Sequence, residues 1–347
     1  MIPNASPLIA CLSLVISCAI FAIFFGGGWL WWQIAQRFLR GEEIVPYSLR
    51  RRVPWGIFDL FVGVLLWFVL MIAALTLLKR TVGIDVMTEL PNTMSDDLAR
   101  MMVDSVARIL ALSLLAGLIM LRTGCAVADL GWSWRHLPAD LVLGGKAFLV
   151  LALQTFAIQL ALTQIWPSEH PLIEALKEEK ESRFIVMAFF MAVISAPLSE
   201  EFLFRVLFQG WLEKLFDAEA SQKPYFGETL LLGERVTAAS PLPPAELIDL
   251  TNPYAPPQGI EEPAAGVEEV SEVVPNSSAN AFTPLIISAL VFALMHYSHG
   301  PDWVALLVLA LGLGYLYRRT HRILPGLVVH FLLNLLSMCS LCFEIFK

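Results

Sequence analysis

Eight apolar runs separated by polar loops restrict this chain to very few folds. They fall at about Pro7 to Trp32, Trp55 to Leu78, Val103 to Leu121, Leu137 to Trp166, Phe184 to Phe216, Phe282 to His299, Trp303 to Tyr317 and Ile323 to Phe346. A helix needs about 20 mostly apolar residues to cross a bilayer, and most of these runs approach or exceed that length. Backbone groups in lipid must be satisfied internally, and long apolar runs without alternation do this as helices. Composition agrees, with 57% of residues hydrophobic and 16% charged. The mean hydropathy is +0.68. A soluble domain is nearer 45–50% apolar and about 25% charged. The expected fold is all-α, a polytopic transmembrane helix bundle of about eight spans.

The loops organise the rest. The first run has no basic residue before it and is too long for a signal-peptide core, so it reads as a retained helix. Gly26-Gly27-Gly28, followed by Trp29, Trp31 and Trp32, reads as the end of that helix at an aromatic belt. The segment 167–183, with Glu178, Glu179 and Glu181, reads as a short surface helix. Asp217 to Asn280 is different in character: Pro-rich, with eleven acidic residues against Lys223 and Arg235. Such a stretch buries too little apolar surface to fold alone, so it is expected to be a disordered, cytoplasmic insertion between the fifth and sixth helices. The chain thus divides into N-terminal membrane helices (1–166) and a second unit (167–346) that contains the 217–280 insertion.

Basic residues set the orientation. Placing the Arg37–Arg52 loop in the cytoplasm also places 122–137, 213–281 and 318–322 there. These loops hold 13 Lys and Arg against 7 on the other side. The N-terminus is then non-cytoplasmic, and the bacterial plasma membrane is the expected location. Arg318, Arg319 and Arg322 read as a topology anchor, and Arg108 and Lys146 as snorkelling side chains. The five cysteines all lie in or beside apolar segments and read as small hydrophobes.

Ionisable residues inside apolar runs are costly and usually face a bundle interior. Ser195 to Arg205 carries three: Glu200, Glu201 and Arg205. Glu201 and Arg205, at i and i+4, share one helix stripe and can pair. Glu200 is rotated by about 100° and faces elsewhere. Phe292 and His296 form a second i, i+4 pair, and His330 and Asn334 a third. At 1.5 Å rise per residue all of these can meet near mid-membrane. A glutamate and a histidine in a cavity can activate water. A histidine and an asparagine one turn apart can donate to a developing oxyanion. Glu200, His296 and His330 are also a ligand set for zinc or another divalent metal, although no H-E-x-x-H is present. Taken singly, the histidines are equally well read as interhelical hydrogen-bonding groups. His299, followed by Gly300-Pro301, reads as a helix-end residue.

In type and order, Glu200-Glu201-x-x-x-Arg205, Phe292-x-x-x-His296 and His330-x-x-x-Asn334 resemble the three motifs of the CPBP family, the CAAX prenyl and bacteriocin-processing intramembrane proteases. The resemblance covers roughly Pro167 to Phe346. It implies an endopeptidase in which Glu200 and His296 activate water, His330 and Asn334 form the oxyanion site, and Glu201, Arg205 and Phe292 support it. No cofactor is expected from the residues, although the family has often been called metallopeptidase. The implied partners are the lipid bilayer and a membrane-embedded or lipidated peptide or protein substrate, with no nucleic acid. Two rivals use the same residues. One is a proton-coupled transporter with a Glu200, His296, His330 relay; no inverted repeat supports it. The other is a catalytically silent scaffold or immunity protein, although every motif position holds a competent residue.

Overall fold

The computed structural model describes residues 7–48, 53–83, 94–166, 176, 181–220, 231–235 and 282–347, and the described residues form helices with no strand. Six helices are long and apolar enough to cross a membrane: Ile9–Leu39, Ile57–Thr81, Asp97–Thr123, Trp134–Thr163, Ser182–Phe216 and Leu324–Phe346. Two more, Thr283–Leu294 and Asp302–Thr320, pack side by side and complete the bundle. The all-helical membrane fold is therefore as expected. Most of the acidic insertion and most of the surface helix expected at 167–183 lie outside the described residues.

In chain order the elements are α1 (Pro7–Phe21), a π-helical turn (Ala22–Gly26), α2 (Gly27–Leu39), α3 (Ile57–Val82), α4 (Met94–Thr123) and α5 (Leu137–Thr163). After α5, α6 (Ser182–Phe189) leads through a π-helix (Phe190–Ser195) into α7 (Ala196–Glu201). A second π-helix (Phe202–Gln209) leads into α8 (Gly210–Ala220), and α9 (Thr283–Leu294), α10 (Asp302–Thr320) and α11 (Leu324–Phe346) follow.

The first helix does not end at Gly26-Gly27-Gly28. It passes through the π-helical turn and continues to Leu39. The glycines serve packing instead: a Cβ on Gly27 would lie 2.4 Å from the carbonyl oxygen of Leu149 in α5. Lipid supplies no hydrophobic force between helices, so close backbone approach at small residues is what joins them. Trp31 closes the same contact by donating from Nε1 to the Val150 carbonyl at 3.2 Å.

The loops that share a side in the topology reading meet at one end of the bundle. Ser48 donates its backbone N–H to Arg319 O at 2.7 Å, and Ile323 donates to Gly131 O at 3.0 Å. Arg319 pairs with Glu43 at 2.6 Å, and Arg322 with Asp140 at 2.7 Å. Arg319 and Arg322, read from the sequence as a topology anchor, are thus tied into the fold. Arg108 pairs with Asp104 at 2.7 Å and stacks over Trp67 at 4.6 Å.

A fragment of the insertion is also held at this end. Residues 231–235 lie against Pro54-Trp55-Gly56, with Glu234 N–H donating to Pro54 O at 2.7 Å. Gly233 has φ +81°, and a Cβ there would lie 2.2 Å from Pro54 O. Lys214, buried in α8, lies 3.3 Å from Trp55 O and 3.8 Å from the Glu234 carboxylate.

Candidate active site

The fifth apolar run is helical but not regular. It contains two π-helical segments flanking α7, the six residues that end in Glu200-Glu201. A π-turn widens the helix and shifts its hydrogen bonds, and such segments concentrate at functional sites. Here three of their carbonyls accept side chains from other parts of the chain. Asn334 Nδ2 donates to Ala192 O at 2.7 Å, Ser288 Oγ to Phe204 O at 3.0 Å, and Trp55 Nε1 to Leu207 O at 3.1 Å. The irregular helix is thus pinned from three sides around the glutamates.

Glu201 and Arg205 pair as their spacing predicts, with Arg205 Nε 3.4 Å from Glu201 Oε2 and both side chains 1% exposed. The guanidinium also stands over the Phe292 ring at 5.3 Å, and its Nη1 reaches Ser288 Oγ at 3.5 Å. Glu201 has a second partner that spacing did not reveal: its Oε1 lies 3.2 Å from His330 Nδ1. On the far side of the same imidazole, Nε2 lies 3.7 Å from Glu200 Oε2. The Glu200 side chain is 21% exposed, so of the two neighbouring carboxylates it is the one open to a small molecule.

Phe292 is fully buried and touches both histidines, with ring centroids 4.9 Å from His296 and 6.2 Å from His330. His296 does not lie within a helix. α9 ends at Leu294, and His296 occupies the turn that follows, with Nδ1–H donating to Phe292 O at 2.9 Å. The i, i+4 contact with Phe292 survives because the turn keeps the local coil. Asn334 is half-buried, and one of its two amide hydrogens is committed to Ala192.

Two residues at the site escaped the motif reading, Ser288 and Gly326. Ser288 anchors Arg205, and a Cβ on Gly326 would lie 2.8 Å from Glu201 Oε2. Each sits one turn ahead of a motif residue, Ser288 before Phe292 and Gly326 before His330. Extending the i, i+4 stripe by one turn is the signal that finds them.

Among the described residues, no group of three or more His, Cys, Asp or Glu side chains is placed to hold a metal ion. Glu200, His296 and His330, the alternative ligand trio read from the sequence, do not form such a group, although the Nδ1 contacts of both histidines leave each Nε2 facing away from them.

The sequence of this site has a counterpart among known families. Residues 270–336 match the family model described as type II CAAX prenyl endopeptidase Rce1-like. The match agrees with the resemblance carried by the motifs. It includes Ser288, Phe292, His296, Gly326, His330 and Asn334, while Glu200, Glu201 and Arg205 precede it. No curated protein and no solved structure matches the chain.

Proposed function

Taking a C-terminal segment of the Rce1-like kind as the premise, we propose that this multi-pass membrane protein is an intramembrane endopeptidase. It hydrolyses a peptide bond of a membrane-associated or lipidated protein. Glu200 takes a proton from water, assisted by His296, and the resulting hydroxide attacks the scissile carbonyl. His330 and the remaining amide hydrogen of Asn334 stabilise the oxyanion. Prenylated C-terminal peptides are the first substrate class to test, because the matched family is described by that activity. The protein resides in the bacterial plasma membrane, with its N-terminus on the non-cytoplasmic side.

The observation that carries this reading is the meeting of Glu200 with His330 from another helix, 3.7 Å apart inside an apolar bundle. A purely structural glutamate would be enclosed as Glu201 is; Glu200 keeps an open face beside an imidazole. Proteomics of membrane fractions tests the reading, comparing cells with wild-type protein and with Glu200→Ala. Cleavage products present with wild type and lost in the variant are expected. Identical product sets would remove the proposal.

A further inference from the structure

Resting on the proposed reaction, we infer that Glu201 is a positioning residue for His330 and not only the partner of Arg205. An ionised carboxylate can only accept hydrogen bonds, so the contact between Glu201 Oε1 and His330 Nδ1 at 3.2 Å places the ring hydrogen on Nδ1. Arg205 stands on the other side of Glu201, its Nε 3.4 Å from Oε2. The neutral ring then has its lone pair on Nε2, and that atom faces Glu200.

This arrangement fixes what His330 can do. A bare Nε2 accepts a proton and cannot donate one. The proton that Glu200 removes from water passes across the Glu200–His330 contact to Nε2, while the hydroxide oxygen bonds to the scissile carbonyl carbon. With the proton on Nε2 the ring becomes a donor to the oxyanion, and Glu201 balances its charge. When the C–N bond breaks, the departing amine nitrogen takes that proton. The sequence uses one water and no other reactant. It is the logic by which a buried carboxylate orients the imidazole of a hydrolytic triad. Gly326 belongs to the same arrangement, since any side chain there would crowd Glu201 Oε2 at 2.8 Å.

The test separates orientation of His330 from support of Arg205. Purified wild type, Glu201→Gln/Arg205→Gln, Glu201→Asp and Glu200→Gln are assayed in proteoliposomes with an internally quenched farnesylated peptide, and their melting temperatures are measured. The double variant removes the buried charges together, and Glu201→Asp keeps a negative charge beside Arg205 but draws the carboxylate back from Nδ1. Both are expected to melt near wild type yet lose at least ~100-fold in kcat with little change in KM, the range for one proton-transfer group. Their pH–rate profiles should also differ in shape from that of wild type. Recovery of wild-type kcat in whichever of the two variants folds would overturn the inference, because a purely structural pair predicts that result. Full activity of Glu200→Gln would instead overturn the proposed reaction itself.

Discussion

The indole Nε1 of Trp55 donates to the carbonyl oxygen of Leu207 at 3.1 Å, joining the loop before α3 to the π-helix that follows Glu201. Trp55 is 1% exposed and also packs against Gly210. The contact supplies a donor to a carbonyl in the widened helix. It also gives the N-terminal helices a mechanical hold on the segment that carries Arg205.

Trp55→Phe keeps the apolar bulk and removes that donor. The expected cost is about 1–3 kcal/mol, the range for leaving a buried acceptor unsatisfied. Thermal unfolding in detergent checks it. An unchanged melting temperature would show that the π-helix does not need the indole.

The insertion provides a second expectation. Residues 231–235 are held against Pro54-Trp55-Gly56, and Glu234 stands beside buried Lys214. Replacing 236–278 with a short Gly/Ser linker should leave stability and cleavage of a small peptide intact, since loop-closure cost changes slowly with length. Replacing 222–278 removes the docked fragment and should lower the melting temperature. Equal melting of the two deletions would show that the fragment contributes nothing to the bundle.

Gly27→Ala tests how the first helix is joined to the bundle. The new Cβ would sit 2.4 Å from Leu149 O, a backbone atom that cannot rotate aside. Separating the helices should cost about 1–3 kcal/mol, as other overpacked contacts do. Gly28→Ala is the control, because nothing lies within 4 Å of a Cβ there. Equal melting of the two variants would contradict the packing role assigned to Gly27.

Much of this architecture was legible in the chain because the bilayer forces it. Runs of apolar residues long enough to span must be helical, and the Glu201–Arg205 stripe follows from helix geometry alone. The Phe292–His296 contact was legible for the same reason, even though His296 lies just past the helix end. What escaped depends on departures from regular helix or on contacts between distant segments. Nothing in Phe190–Ser195 or Phe202–Gln209 announces a π-helix by composition. Without the π-helix there is no reason to expect Asn334 to donate to Ala192. Glu201 meeting His330 joins residues 129 positions apart and follows from no local pattern. Gly26-Gly27-Gly28 misled because the same small residues end helices in water and join helices in lipid.

The most direct test is the turnover of Glu200→Gln against wild type, on any peptide that the wild-type protein cleaves. Glutamine keeps the size and polarity of Glu200 but cannot take a proton from water. A fall of at least ~100-fold in kcat, with an unchanged melting temperature, is the predicted result. Near-normal turnover in the variant would contradict the account.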